Sequence, residues 1–115
     1  VRYMSDMFAA AKEFNGDLKY WNTSKVEYMG FMFSEASSFS HDISTWDVSK
    51  VKRLSHMFHK ATDFNHNLFS WGNLLLKNEA YSERRFEDMF SATDCLDESD
   101  PFLPGSRVGP LCHPC

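Results

Sequence analysis

No stretch of this 115-residue sequence is long and apolar enough to cross a bilayer as a helix, which takes ~20 residues. The longest run of hydrophobic residues is only Met7-Phe8-Ala9-Ala10-Ala11. The chain also lacks an excess of basic residues, because its formal charge is −4 and its pI about 5.7. Nucleic-acid binding normally begins with a basic patch, so we expect neither a transmembrane segment nor a nucleic-acid partner.

Large apolar side chains are abundant instead. Hydrophobic residues make up 43% of the chain and include 11 Phe, 6 Met and 3 Trp. Side chains of this size need a core to pack against, which argues against disorder over most of the chain. The length suits one domain with one modest core.

The apolar residues recur with a period of 25 residues. Trp21, Trp46 and Trp71 show the interval most plainly. The other apolar positions that keep residue type or size over three copies are Val1/Val26/Val51, Met4/Met29/Leu54, Met7/Met32/Met57, Phe8/Phe33/Phe58, Ala11/Ala36/Ala61, Phe14/Phe39/Phe64 and Leu18/Ile43/Leu68. Such tandem repetition predicts repeats that stack on one another.

A degraded fourth copy follows the third. Phe86, Met89 and Phe90 have the spacing that the full copies show, after an insertion of seven residues that we place at 72–78. Charges of both signs run from Lys77 to Asp88, and this mixture is typical of a solvated helix face. We therefore expect three full repeats, one degenerate repeat and an irregular end.

Each repeat is predicted to hold one helix and one short strand. In the second copy, apolar residues three and four apart predict a helix over 25–36, and Ser24 and Glu27 have the spacing of a capping box at its start. A later apolar pattern predicts a strand over 44–47. The residues that carry the two patterns are Val26, Met29, Met32, Phe33 and Ala36 for the helix, and Ile43, Trp46 and Val48 for the strand.

The expected fold class follows from these elements. It is α/β, a right-handed leucine-rich-repeat-like solenoid with one helix and one short strand per 25-residue repeat and a short parallel sheet. The solenoid is expected to cover residues 1–95. Residues 96–115, which contain Pro and Cys, are expected to form an irregular tail or cap.

One phrase of the sequence resembles a known family. Read from Met29 to Val51 it is Met-x-x-Met-Phe-x-x-Ala-x-x-Phe-x-x-Asp-Ile-Ser-x-Trp-Asp-Val-Ser-x-Val. This looks like the BspA-like leucine-rich-repeat surface proteins, whose repeat domain is also found in mycoplasma lipoproteins. The resemblance covers residues 1–71 closely and 79–95 loosely. It implies a cell-surface or secreted module for adhesion or protein binding, and it implies no catalytic activity.

The three cysteines all lie in the C-terminal part of the chain, at Cys95, Cys112 and Cys115. One interpretation is a disulfide from Cys95 to Cys112 or Cys115, which would pin the tail over the last repeat. A second is a zinc site formed by these cysteines with His113, and a third is a redox Cys-x-x-Cys pair. Inert thiols are the remaining alternative.

Histidines and acidic residues give two further candidate sites. His56 and His59 lie three residues apart, and His41 and His66 are one period apart in equivalent turns. Asp17, Asp42 and Asn67 also share one position of the repeat, which is compatible with a calcium site at an edge. We favour structural roles for both sets, with the acidic side chains capping their own turns, and we expect no catalytic residue, metal or cofactor.

The functional expectation is a surface for protein binding. If Ile43, Trp46 and Val48 point inward, their neighbours and the equivalent residues of the other copies point outward. The expected partner-binding residues are Tyr20, Asn22, Thr45, Asp47 and Ser70. The leading hypothesis is a non-enzymatic interaction or adhesion module of a surface or secreted protein.

Two alternative functions belong to other classes of protein. One is a scaffold subunit of a larger assembly, with an organellar or membrane-associated location, and the other is a redox or metal-binding protein that uses the Cys/His tail. The first repeat also starts without a polar capping unit, which leaves Met4, Met7 and Phe8 partly uncovered. We expect this end to be continued by further repeats or covered by a partner.

Overall fold

The computed structural model describes residues 2–75, 85–101 and 110–113. Within these ranges the only helix is α1, Trp71–Leu75, and no residue belongs to a β-strand. Isolated parallel bridges join Tyr3 to Tyr28 and Tyr28 to Arg53, and an antiparallel bridge joins Leu111 to His113. The expected α/β solenoid, with a helix, a strand and a parallel sheet, is therefore wrong.

The predicted helix over 25–36 is a series of tight turns. Phe31 and Glu35 have φ values of 59° and 60°, which a right-handed helix does not accommodate. The amides of Met32 and Ala36 donate to the carbonyls of Met29 and Phe33, so Phe31 and Glu35 occupy the third position of type II turns. Turns repeated every four residues bury the same apolar positions as a helix, which explains the misleading periodicity.

The capping box and the strand are also absent from the second copy. The Ser24 hydroxyl donates to the Asn22 side chain at 2.7 Å, and Glu27 forms ion pairs with neighbouring repeats. In place of a strand over 44–47, the amide of Trp46 donates to the carbonyl of Ile43 at 3.0 Å and closes a turn. The alternation of buried and exposed side chains there comes from turn geometry.

The copies nevertheless stack. We call residues 2–25, 26–50 and 51–75 repeats 1, 2 and 3, and residues 85–95 the fourth segment. Four alternate amides of each copy donate to carbonyls of the next, at 2.7–3.1 Å, in a set of bonds that we call the inter-repeat ladder. Its donor and acceptor pairs are Met4–Tyr28, Asp6–Gly30, Phe8–Met32 and Ala10–Ser34, then Met29–Arg53, Phe31–Ser55, Phe33–Met57 and Glu35–His59, then Leu54–Arg85, His56–Glu87, Phe58–Met89 and Lys60–Ser91.

Two columns of aromatic rings fill the core of this stack. In one column the rings of Phe8, Phe33, Phe58 and Phe90 follow one another at centroid distances of 5.5, 5.6 and 5.6 Å. In the other, Phe39 lies 6.0 Å from both Phe14 and Phe64. The rings are nearly parallel, so each copy covers the apolar surface of its neighbour.

Arg85 corrects the expectation of a solvated charged face between Lys77 and Asp88. Its side chain is fully buried, and its Nη2 atom donates to the carbonyls of Val51 and Leu75 at 2.6 and 3.3 Å. Burial lowers the pKa of Arg85. The guanidinium thus joins the two ends of repeat 3, while residues 76–84 lie outside the described part of the chain.

Candidate protein-binding surface

The five predicted partner-binding residues occupy two positions of the repeat, Tyr20/Thr45/Ser70 and Asn22/Asp47, and all five are exposed. We call this set, Tyr20, Asn22, Thr45, Asp47 and Ser70, the side face. Tyr20 is the most open of them, with 86% of its surface accessible. The ammonium of Lys19 lies 5.0 Å from the centroid of the Tyr20 ring and forms a cation–π contact.

Two members of the side face have structural roles. The Oδ1 atoms of Asn22 and Asp47 accept hydrogen bonds from the amides of Ser24 and Ser49, at 3.1 and 3.0 Å. Each is an Asx turn, which fixes the backbone that follows. These two side chains therefore stabilise the turns in which they lie.

Sequence reasoning missed Phe69 as a member of this surface. Its side chain is 42% exposed, and Ser70 beside it donates from Oγ to the carbonyl of Ser44 at 3.2 Å. The signal was present, because Phe69 is a large apolar residue at the position that Lys19 and Ser44 occupy in the other copies. The side face thus has exposed aromatic rings in repeats 1 and 3.

A second missed feature is a charged edge formed by Arg2, Glu27 and Lys52, which are one period apart. Glu27 accepts from Arg2 at 2.5 Å and from Lys52 at 2.9 Å. The hydrogen bond from Lys52 and the charges of both cations lower the pKa of Glu27, against the opposing effect of burial. Beside this edge the rings of Tyr3 and Tyr28 stack at 5.1 Å.

Two of the three cysteines form a disulfide. The sulfurs of Cys95 and Cys112 are 2.11 Å apart, which is a disulfide distance. The Leu111 carbonyl accepts from the amide of Leu68, and His113 hydrogen-bonds the Asn65 side chain at 2.8 Å. The tail therefore lies against repeat 3, and the pairing of Cys95 with Cys112 favours the disulfide interpretation over the alternative of a zinc site. Cys115 lies outside the described residues.

The side chains considered for a calcium site cap their own turns. Asp17, Asp42 and Asn67 each accept, through Oδ1, from the amide two residues further on, at 2.9–3.0 Å. The hydrogen bonds from Ser44 lower the pKa of Asp42. In the part of the chain that the structure describes, no group of three or more His, Cys, Asp or Glu residues is placed to hold a metal ion.

The histidines pack against rings and backbone. His56 stacks on Phe31 at 4.5 Å and lies edge-on to His59 at 5.4 Å, and its Nε2 is 3.4 Å from a carboxylate oxygen of Asp88. His41 hydrogen-bonds the carbonyl of Asn15 in the preceding repeat. These contacts join the histidines to neighbouring copies and segments of the stack.

Among the described residues, no helix has the length and apolar character that a membrane crossing requires.

Comparison with known families places the chain among repeat proteins. Residues 1–99 match a family described as "Mycoplasma protein of unknown function, DUF285". The match covers most of the 115 residues, so the chain belongs to this family. It supports the resemblance to surface repeat proteins at this coarse level. No curated protein and no solved structure matches the chain.

Proposed function

We propose that this chain is a non-enzymatic protein-binding module of a surface or secreted protein, and that its partner contacts the side face. The observation that carries the proposal is the exposure of Tyr20 and Phe69, at 86% and 42%, at neighbouring positions of the repeat in a hydrogen-bonded stack. Exposed apolar residues that lie together in a patch mark interaction sites.

The side face has the composition of a recognition surface. Aromatic residues supply large contact areas with few rotatable bonds, and they dominate the binding energy of many interfaces. Thr45 and Ser70 occupy the same position of the repeat as Tyr20, are exposed and add small hydroxyl groups to this set. The inter-repeat ladder holds these side chains at fixed separations, so little ordering is needed on binding.

A surface or secreted location is part of the proposal. The pairing of Cys95 with Cys112 supports it, because disulfides persist mainly in oxidising compartments. Membership in a family that includes mycoplasma proteins is compatible with this location.

The experiment compares capture of partners from extracts of surface proteins. The test variant combines Tyr20→Arg with Thr45→Arg, which places two charges on the side face and leaves the Asx turn of Asp47 intact. Asp63→Arg is the matched control, since Asp63 is also exposed but lies outside the side face. We expect the control to recover the wild-type set of proteins and the double variant to lose it. Equal recovery by both variants would show that another surface binds the partner.

A second candidate function is a structural subunit of a larger assembly. It is favoured by the exposed apolar end of repeat 1, where Met7 and Trp21 are 48% and 39% accessible. A subunit of this kind copurifies with its partners through salt washes, and the double variant on the side face then remains in the assembly.

A further inference from the structure

Residues 22–24 of repeat 1 read Asn-Thr-Ser, which is the Asn-x-Ser/Thr pattern with a middle residue other than Pro. This pattern is the acceptor for N-linked glycosylation, in which a sugar is attached to the side-chain nitrogen of the Asn. It occurs once in the 115 residues, because the other asparagines lack Ser or Thr two residues further on; these are Asn15, Asn65, Asn67, Asn73 and Asn78. A pattern of three residues also arises by chance, so the structure of this turn is what matters.

The fold leaves the side-chain nitrogen of Asn22 open to solvent. Asn22 is exposed, and among the described residues its Nδ2 atom donates no hydrogen bond. Thr23, in contrast, is 2% exposed, and its hydroxyl donates to the carbonyl of Asp47 in repeat 2 at 3.1 Å. Because the buried Thr23 anchors the segment to the stack, a sugar on Nδ2 extends into solvent without displacing a hydrogen bond of the described residues.

The third residue of the pattern is hydrogen-bonded to the first. The Ser24 hydroxyl donates to Oδ1 of Asn22 at 2.7 Å, and the Ser24 amide donates to the same atom at 3.1 Å. An amide nitrogen is a weak nucleophile because its lone pair is delocalised into the carbonyl, and it becomes stronger as it loses a proton and charge collects on the oxygen. Two donors fixed at that oxygen stabilise this charge. The turn therefore holds Asn22 in a conformation that suits attack by Nδ2.

The equivalent turns of the other copies lack the acceptor nitrogen. In repeat 2 the amide of Ser49 donates to Oδ1 of Asp47 at 3.0 Å, so an Asp forms the same turn but offers no nitrogen. In repeat 3 the equivalent residues are Gly72 and Leu74. Since the turn itself needs only Oδ1, the nitrogen of Asn22 has no structural role among the described residues and is available for modification.

We propose that Asn22 is the attachment site of an N-linked glycan. The co-reactant is an oligosaccharide carried on a lipid diphosphate, together with its transferase. Nδ2 forms a bond to the anomeric carbon of the sugar, and the bond from that carbon to the diphosphate oxygen breaks. The lipid diphosphate leaves with the electron pair, and Nδ2 loses one proton to a base of the transferase. The inference rests on the surface or secreted location in the proposed function, because such acceptors are modified in secreted proteins.

The first measurement maps residue 22 in the protein purified from the cells that make it. Trypsin cuts after Lys19 and Lys25 and releases residues 20–25, whose only asparagine is Asn22. An amidase that removes N-linked glycans converts the modified Asn to Asp, and in heavy-oxygen water it leaves a heavy oxygen on that residue. We expect this peptide to carry the heavy-oxygen label after treatment. A peptide 20–25 of unmodified mass, without the label, overturns the proposal.

The second measurement tests the turn in the full chain, secreted from eukaryotic cells behind a cleavable leader. Ser24→Ala keeps the amide bond to Oδ1 but removes the hydroxyl, so it should lose the label, whereas the matched control Ser24→Thr should retain it. Asp47→Asn completes the same pattern with Val48 and Ser49 in the equivalent turn and should gain a second label. A label that persists in Ser24→Ala, or the absence of one at residue 47, overturns the role given to the turn.

The outcomes separate this inference from the proposed function. An unmodified Asn22, together with loss of partner capture in the variant that combines Tyr20→Arg with Thr45→Arg, overturns the glycan and leaves the binding face standing. A labelled Asn22, together with full capture by that double variant, supports the glycan and overturns the binding face.

Discussion

The indole Nε1 of Trp46 donates to the carbonyl of Leu18 in the preceding repeat, at 2.9 Å in a buried environment. Trp71 makes the same contact with Ile43 at 3.3 Å. These bonds cross from one copy to the one before it, opposite in direction to the inter-repeat ladder. Each tryptophan therefore locks two copies together through its ring and through its only polar atom.

Replacing Trp46 by Phe removes this bond and keeps an aromatic ring. We expect the free energy of unfolding to fall by about 1–3 kcal/mol, because the Leu18 carbonyl loses its partner in a buried site. Trp21→Phe is the matched control, since Trp21 is 39% exposed, and its effect should be smaller than about 1 kcal/mol. Urea unfolding measures both changes. Equal losses in the two variants would contradict a specific role for the bond.

In the second copy, the apolar positions that were predicted to point inward are buried. Val26, Met29, Met32, Phe33 and Ala36 are all fully inaccessible. The backbone was nevertheless misjudged, because a spacing of three and four residues reports which side chains point inward and not which dihedrals place them there. Serial type II turns satisfy the same spacing, and their amides pair with the next copy instead of within a helix.

The positive φ values of several non-glycine residues could not be predicted from the sequence. The φ values of Phe31, Glu35, His56 and Lys60 lie between 58° and 61°, although such values are uncommon outside glycine. Contacts with the neighbouring copies hold these residues in this conformation. The sequence of a single copy therefore does not indicate it. The exposure of Tyr20 and Thr45 was predictable, in contrast, because both flank apolar positions that the repeat marks as internal, while their role in partner binding stays a prediction.

A glycine at one of these positions tests the turn geometry. Lys60 has a φ of 61°, is exposed and donates its amide to Ser91. We expect Lys60→Gly to raise the free energy of unfolding by about 0.5–1 kcal/mol, because relief of the left-handed strain exceeds the entropic cost of glycine.

The control for this substitution is Asp63→Gly, at an exposed position that is not among those with positive φ. It should lower the free energy of unfolding by about 0.5–1 kcal/mol, since only the entropic cost remains. Thermal and urea unfolding of both variants measure whether the free energy of unfolding rises or falls. A loss of stability in Lys60→Gly would mean that residue 60 does not adopt the left-handed turn.

The link between Cys95 and Cys112 is expected to stabilise the end of the stack. The two residues are 17 apart in sequence, so closing this loop removes about 3 kcal/mol of chain entropy from the unfolded state. Cys95→Ser combined with Cys112→Ser should lower the free energy of unfolding by roughly that amount. Cys115→Ser is the control and should leave it unchanged. Peptide mapping that finds Cys95 linked to Cys115 would contradict the pairing.

Glu27 gives the stack a defined response to acid. The hydrogen bond from Lys52 and the charges of Arg2 and Lys52 lower the pKa of Glu27 below its ordinary value of 4.5. A carboxylate with a lowered pKa in the folded state contributes stability above its unfolded pKa, and the contribution disappears as the pH falls through the folded pKa. The stability due to Glu27 is therefore present at neutral pH and lost below about pH 4.5.

Urea unfolding at a series of pH values isolates this contribution. Glu27→Gln should be less stable than the wild type near pH 7, and the difference should shrink as the pH falls below 4.5. Asp42 and Asp97, whose pKa values are also lowered by their serine partners, titrate in both proteins and cancel in the comparison. Glu13→Gln is the control, because Glu13 is exposed and forms no ion pair among the described residues. A difference between wild type and Glu27→Gln that stays constant from pH 7 to pH 3 would mean that the ion pairs with Arg2 and Lys52 do not stabilise the fold.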